Sequence, residues 1–366
     1  MTRRLLNNMG FYSFLGNSQA VSTLRDMLSR DAAQGSLLFA GPEGVGKKTL
    51  AFMVAKALNC ERMRGDFCGQ CSRCLKSEEM LLLAREDLAR RREVKDASRR
   101  VEGLIYFDVQ LIEPITRFVL IEQIRQLRST AYARAFELPR RVFILDQAQA
   151  IHWQAVDLLL KVMEEPPEGA TFMLVCPNPH ELRPTLRSRC KRIQFRPVED
   201  TVIRTLLQEE RGIPPAQLEL ATRWAAGSIG AAKNLNLEEI QAKRRPWTDY
   251  LEIIAKKDWR SGGGAEWKVF FDAAKALSEK RDQLQEDLRV GYALLRDMLQ
   301  MIESGDPSQI TNVDLLPRLQ RWAGNLGLEG LERLKRGLDD AYRLQTRNVN
   351  LQLGWETLGL NVAAGE

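Results

Sequence analysis

Residues 41–49, GPEGVGKKT, come close to the phosphate-binding loop pattern of Gly, four residues, Gly-Lys and then Ser or Thr. Gly41, Gly46 and Lys47 fit this pattern, whereas Lys48 stands where the hydroxyl belongs. In such loops backbone N–H groups surround the phosphates, the lysine neutralises their charge and the hydroxyl helps to hold Mg²⁺. A second lysine repels Mg²⁺, so the sequence predicts a degenerate nucleotide site.

A second position tests whether this site can hydrolyse a nucleotide. Asp146 ends the apolar run RVFILD, where a metal-side carboxylate is expected, but the next residue is Gln147, whose amide cannot act as a base. Hydrolysis is therefore not expected, and binding of ATP with Mg²⁺ is doubtful. The candidate residues of the degenerate nucleotide site are Gly41, Gly44, Gly46, Lys47, Lys48, Thr49 and Asp146.

Four of the six cysteines lie in the fifteen residues CERMRGDFCGQCSRC, at Cys60, Cys68, Cys71 and Cys74. Spacings of seven, two and two residues suit four thiolates around one structural Zn²⁺, and a closed site of this kind leaves no position for catalysis. An iron–sulfur cluster and four reduced thiols are the alternatives, and zinc is favoured over both. Cys176 and Cys190 are predicted to be core residues unrelated to the cluster.

The bulk composition indicates a globular protein with a weak preference for acidic partners. The chain has 366 residues, 44% hydrophobic and 28% charged, with a formal net charge of +6. A small positive excess is compatible with nucleic acid or nucleotide partners but does not require them. There is no apolar run long enough for a membrane span and no secretory signal pattern, so we expect a cytoplasmic protein with no membrane partner.

The elements that must position these residues alternate between helices and short apolar strands up to about residue 195. The predicted strands are residues 36–41, 108–114, 141–146 and 171–177, which indicates a parallel sheet covered by helices. Beyond residue 197 the pattern is helical throughout. We predict an α/β P-loop domain over 1–196 with a zinc module at 60–74, a small helical lid domain over 197–241 and an all-α domain over 242–366.

Residues 75–104 form a strongly charged insertion in the predicted α/β domain. The segment REDLARRREVKDASRR carries both signs of charge interleaved, which favours a solvated helix over a nucleic-acid-binding stripe. Its role is open.

Three linked motifs resemble those of the clamp-loader branch of the AAA+ proteins. They are Leu159-Leu160-Lys161, then Glu164-Glu165-Pro166-Pro167, and Ser188-Arg189-Cys190. Within that branch the resemblance is strongest to the delta-prime subunits of bacterial DNA polymerase III, and it extends over essentially the whole chain. The insertion at 75–104 departs from their usual pattern.

The resemblance implies a specific role in DNA replication. Arg189 would be an arginine finger that acts in trans on the γ-phosphate of a neighbouring subunit, for which a rigid and permanently charged guanidinium is suited. The subunit itself would not hydrolyse ATP. Its helical C-terminal domain would be a collar that binds tau/gamma motor and delta subunits, and the complex would load a sliding clamp onto primer–template DNA.

Two other functions compete with this interpretation. An ATP-hydrolysing motor subunit of the tau/gamma type is the first alternative, and Lys48 and Gln147 argue against it. A stand-alone zinc-dependent nucleic-acid binder is the second, and the absence of aromatic residues among the arginines of the insertion argues against that.

Overall fold

The structure is a computed structural model of the 366-residue chain, and it describes residues 10–33, 35–96, 99–101, 107–256, 263–279, 284–344 and 350–364. It divides into two compact units, Met1–Ile203 with Gly227–Gly230, and Arg204–Ala226 with Ala231–Glu366. No described helix is long and apolar enough to cross a membrane.

The first unit is built on a five-stranded parallel sheet in the order β2-β3-β4-β1-β5. Its three central strands, and β2 at one edge, are buried along their whole length apart from the first residue of β1, as expected when helices cover both faces. The strands are β1 Gly35–Ala40, β2 Val109–Ile112, β3 Arg141–Leu145, β4 Ala170–Cys176 and β5 Lys191–Gln194.

The fifth strand was not predicted from the sequence. In β5 only Ile193 is buried, and its three polar residues face solvent because the strand lies at the other edge of the sheet. The parallel sheet itself, and the four strands predicted for it, are confirmed.

Helices flank the sheet in the first unit and form the elements described in the second. Those of the first unit are α1 Ser18–Ser29, α2 Lys47–Asn59, α3 Ser72–Glu93, α4 Ile121–Tyr132, α5 Trp153–Glu164 and α6 Pro184–Ser188. The later helices are α7 Asp200–Glu209, α8 Pro215–Ala225, α9 Ile229–Asn234, α10 Leu237–Ile254, α11 Gly264–Ala276, α12 Leu284–Glu303, α13 Leu316–Leu344 and α14 Leu351–Ala364. Helix α13 is kinked at Gly327, whose φ is 61°.

The second unit has an aromatic core of its own. The rings of Trp247 and Trp355 meet edge to face with centroids 5.2 Å apart, and the Tyr250 hydroxyl donates to the Trp355 carbonyl at 2.6 Å. A buried Arg244 donates to Asn312 and to both oxygens of Asp314, which fixes the segment before α13. The helical C-terminal region is therefore confirmed. The predicted border at 241/242 lies inside α10, and the division into lid and collar domains stays a prediction.

The charged insertion is more than a solvated helix. Its first part, residues 75–93, is most of α3, and one face of that helix, including Leu81, Ala84 and Leu88, is buried against α2 and β2. The sequence analysis missed this buried face because the charged residues outnumber the apolar ones. The apolar residues nevertheless recur at three- and four-residue spacing, as on one face of a helix. Residues 97–98 and 102–104 of the insertion lie outside the described residues.

Candidate functional site

The loop between β1 and α2 has the backbone that a phosphate-binding loop requires. Gly41, Gly44 and Gly46 have φ values of 150°, 72° and 95°, which glycine adopts at low cost. A Cβ at Gly41 would lie 2.4 Å from the Phe195 carbonyl oxygen, so no other residue fits there. Gly46 caps the N-terminus of α2, and Thr49 follows in the first turn of that helix, half-buried.

The tip of the loop is held by the segment before and at the start of α9. The Gly230 N–H donates to the Gly44 carbonyl at 2.9 Å. A Cβ at Gly44 would stand 2.0 Å from the Ser228 hydroxyl and one at Gly230 would be 3.1 Å from the Gly44 Cα. Glycine at both positions allows this close approach. The two backbone segments are therefore in direct contact here.

Lys47, the expected phosphate lysine, is folded onto its own loop. Its ammonium donates to the carbonyl oxygens of Gly41 and Pro42, both at 2.5 Å, and the residue is only 7% exposed. Burial lowers the pKa of Lys47, although the nearby Asp146 carboxylate partly offsets this. A phosphate group entering the loop would have to draw this ammonium away from the two carbonyls.

Lys48 lies between two carboxylates at the carboxyl ends of neighbouring strands. Its ammonium is 2.7 Å from Glu113 Oε1, just after β2, and 2.8 Å from Asp146 Oδ2, just after β3. The other oxygen of Glu113 accepts from Arg92 of α3 at 2.8 Å. Two cations and two anions therefore form one network beside the loop, which we call the Lys48 network (Lys48, Glu113, Asp146 and Arg92).

The pKa values of the network follow from the balance of burial and charge. Burial would lower the pKa of Lys48, but Asp146 and Glu113 outweigh it and raise that pKa. Burial would likewise raise the pKa of Glu113, but Lys48 and Arg92 lower it. At neutral pH Lys48 and Glu113 are therefore held in their charged forms.

A nucleotide-bound Mg²⁺ does not fit this arrangement. The Asp146 oxygen that would face the metal already contacts Lys48, and position 48 offers an ammonium in place of a hydroxyl ligand. Gln147, at the position where a water-activating carboxylate is needed, is exposed in a left-handed conformation with φ of 52°. The structure thus brings Lys48 and Asp146 together, as two members of an ion pair.

Arg189 lies on the surface between α6 and β5. Its guanidinium donates to the Thr185 carbonyl at 3.0 Å and forms an ion pair with Glu164 at the end of α5. The two side chains are 36% and 45% exposed, so the pair is weakly held and accessible to another molecule. The contact joins the Glu-Glu-Pro-Pro and Ser-Arg-Cys motifs, which are separated in sequence.

The four clustered cysteines converge between α2 and α3. Their sulfur atoms all lie within 4.8 Å of one another, and those of Cys60 and Cys68 are 3.8 Å apart. Gly65 and Gly69, with φ of 76° and 69°, turn the chain between them. Cys176 and Cys190 are not part of this group.

This geometry fits a tetrahedral Zn²⁺, because Zn–S bonds of about 2.3 Å place sulfur atoms about 3.8 Å apart. Burial would raise the pKa of Cys68, but N–H donors from Gln70 and Cys71 lower it to about 7. Burial raises the pKa of the Cys74 thiol. The arrangement suggests a possible zinc site that would join the end of α2 to the start of α3.

Glu113 and Arg92 are site residues that the sequence analysis missed. A signal for Glu113 was present, because it directly follows the apolar run that became β2, and carboxyl ends of neighbouring parallel strands share one edge of the sheet. Arg92 had no such signal, since its position depends on how α3 packs.

The fold and the loop together define a P-loop type of α/β protein. A sequence model of the family described as DNA polymerase III, delta subunit, matches residues 16–199, just over half of the chain. The chain therefore belongs to this family.

Individual relatives are more distant. The Bacillus subtilis DNA polymerase III subunit tau is 25% identical over 98% of this chain, which spans 58% of that protein. The Escherichia coli subunit tau is 27% identical over 63% of this chain, which spans 33% of that protein. Among solved structures, a DNA polymerase III gamma subunit-related protein of Thermotoga maritima is 19% identical, with a TM-score of 0.44 over 94% of this chain and 99% of its own.

Proposed function

We propose that this chain is a non-hydrolysing AAA+ subunit of a bacterial DNA polymerase III clamp loader, of the delta-prime type. The observation that carries the proposal is the ion pair between Lys48 and Asp146, which engages the carboxylate that a hydrolytic site would give to its metal ion. The nucleotide-site residues Gly41, Gly44, Gly46, Lys47, Lys48, Thr49 and Asp146 are then remnants of a motor ancestor.

Arg189 supplies chemistry to a neighbouring subunit in this proposal. Among the described residues, its guanidinium is held by one exposed carboxylate and one helix carbonyl, so a triphosphate on a partner can replace Glu164 as its anion. An arginine finger of this kind stabilises charge on the transferring phosphoryl group.

The other parts of the chain have supporting roles. Zn²⁺ at Cys60, Cys68, Cys71 and Cys74 has a structural function, and the helices over 242–366 form the collar that binds tau/gamma motor and delta subunits. Contact with the sliding clamp and with primer–template DNA occurs through the assembled complex in the cytoplasm. The family match and the names of the tau relatives support membership of such an assembly.

The test is ATP turnover by a complex reconstituted from this chain, its motor subunits and a delta subunit. Arg189→Ala should lower turnover by about 10³-fold per affected site, the lower end of the contribution measured for arginine fingers. Arg187→Ala, two residues away and half-buried, is the control and should leave turnover near the wild-type value. Assembly of each variant is checked by size-exclusion chromatography, and unchanged turnover of the intact Arg189→Ala complex would refute the trans-acting role.

The tau names of the relatives favour a motor subunit as the second candidate. That function predicts ATP hydrolysis by the isolated chain, which Lys47→Ala would abolish. The proposed function predicts no turnover by the isolated chain, with or without Lys47.

A further inference from the structure

Two carboxylates from neighbouring strands gather around one cation in the Lys48 network. Glu113 and Asp146 follow β2 and β3, and their side chains are 10% and 14% exposed. Carboxylates so enclosed and so close to each other require a positive charge between them. The Lys48 ammonium, within 2.8 Å of both, is that charge.

The remaining oxygens of both carboxylates are fixed by other donors. Glu113 Oε2 accepts from Arg92 at 2.8 Å, and Asp146 Oδ1 accepts from the Gln147 N–H at 3.0 Å. Each carboxylate therefore presents one oxygen to Lys48 and keeps its orientation through the other. If the ammonium were removed, the two oriented oxygens would remain.

Position 48 adds a third feature. In the loop pattern this residue is a Ser or Thr whose hydroxyl binds the divalent metal, so a threonine there would add an oxygen ligand to the two carboxylate oxygens. Small hard divalent cations prefer such oxygen ligands, with waters completing an octahedron.

We propose that Glu113 and Asp146 form a latent divalent-cation site, closed by the Lys48 ammonium, which takes Mg²⁺ or Mn²⁺ when Lys48 is replaced by Thr. In the native chain the Lys48 ammonium neutralises the two carboxylates, as a metal ion would. A phosphate-bearing ligand that reaches the native loop must therefore bind without a divalent cation. Glu113 becomes the second metal-side acid of the site, beside Asp146.

Mn²⁺ is the probe, because its free and bound forms are distinguished by electron paramagnetic resonance. The full chain, with zinc supplied to the cysteine cluster, is titrated with Mn²⁺ as wild type, Lys48→Thr and Lys161→Thr. The control makes the same substitution at an exposed lysine of α5. Lys48→Thr should bind one Mn²⁺ more than the wild type, at least about tenfold more tightly than any wild-type site there, because a repelling charge is gone. Lys161→Thr should match the wild type.

Two double variants locate the added ion. Lys48→Thr/Asp146→Asn and Lys48→Thr/Glu113→Gln should both lose it. Retention of the ion in either, absence of any gain in Lys48→Thr, or an equally tight Mn²⁺ in the wild type would each overturn the proposal.

A stability measurement covers the case in which Lys48→Thr folds poorly. Lys48→Met should lower Tm by leaving two carboxylates in repulsion, and adding Asp146→Asn should restore part of the loss. If Asp146→Asn lowers Tm further in that background, the carboxylates do not need a cation and the proposal is wrong. None of these measurements involves Arg189 or a partner subunit, so failure of the latent site would leave the trans-acting role of Arg189 to be decided by the turnover assay alone.

Discussion

Glu113 is contacted by two cations, and the shift of its pKa reflects the strength of these two interactions. Lys48 is 2.7 Å from one oxygen and Arg92 is 2.8 Å from the other. The pKa of Glu113 is lowered from 4.5, so the folded state favours the charged form over the unfolded state. The stabilisation is complete above that ordinary value and is lost as the pH falls through the lowered one.

Glu113→Gln should therefore lower the free energy of unfolding at neutral pH but much less in acid. We expect a loss of about 1–2 kcal/mol, below the usual cost of breaking a buried pair because Lys48 is 38% exposed. Urea unfolding of wild type and variant at about pH 7 and about pH 3 measures this, because the loss sets in only below the ordinary pKa of glutamate. Glu165→Gln, at an exposed position on the same unit, is the control, and an equal loss at both pH values would contradict the expectation.

Arg189→Ala should leave the isolated chain folded with nearly unchanged stability. The ion pair with Glu164 is exposed on both sides, and such pairs contribute less than about 1 kcal/mol. Arg141→Ala provides the contrast, because that buried guanidinium donates to the Thr130 carbonyl at 2.7 Å and its removal should cost more. Chemical denaturation compares the two, and a large loss for Arg189→Ala would give it a structural role.

At the scale of elements, α3 connects the cysteine cluster to the Lys48 network. Cys71 caps its N-terminus, Cys74 lies in its first turn, and Arg92 in its last turn contacts Glu113. A metal bound at the cysteines would fix the start of the helix, and packing of Leu81 and Leu88 carries that order along it.

One zinc ion per chain should be found, and Cys74→Ser should remove most of it. Chelation should also increase amide hydrogen exchange in the first turns of α3, because the bonds that would tie the start of this helix to the end of α2 are lost with the ion. Metal analysis and exchange mass spectrometry measure the two effects. Cys190→Ser, which changes a cysteine outside the cluster, should keep the zinc, and full zinc retention by Cys74→Ser would rule out the site.

The strand–loop–helix element depends on glycine for two separable reasons. Gly41 has both a positive φ and a carbonyl oxygen 2.4 Å from its missing Cβ, whereas Gly35 has a φ of 87° and open space. Gly35→Ala should cost about 1–2 kcal/mol through backbone strain alone. Gly41→Ala should cost about 2 kcal/mol more, since the Phe195 backbone cannot swing aside. Thermal unfolding of both variants tests this, and equal losses would contradict it.

At the scale of the whole molecule, each of the two compact units has a core of its own. The first is packed around the parallel sheet and the second around Trp247, Tyr250 and Trp355. Chains with separate cores need not unfold in one transition.

Calorimetry should therefore resolve two transitions that respond to different changes. Chelation of zinc should lower only the transition of the sheet unit. Arg244→Ala, which breaks the contacts to Asn312 and Asp314, should lower only the other by several degrees. A single transition that shifts in both cases would show that the units unfold together.

Elements whose signals are local could be predicted from the amino-acid sequence alone. Three signals of this kind each lie within a short stretch of sequence: the glycines at 41, 44 and 46, the spacing of the four cysteines, and the apolar runs of β1 to β4. They could be recognised because loop conformation and strand burial depend on neighbouring residues. Helices beyond residue 197 followed from their periodicity in the same way.

Which charged side chains contact one another depends on how the elements pack in three dimensions. Glu113, Lys48, Asp146 and Arg92 are far apart in sequence, and they come together because parallel strands end at one edge and α3 packs against β2. The edge strand β5 and the Arg189–Glu164 pair were hidden for the same reason. Ion pairs and edge strands depend on the distances between elements, and the residues next to a position in the sequence do not specify those distances.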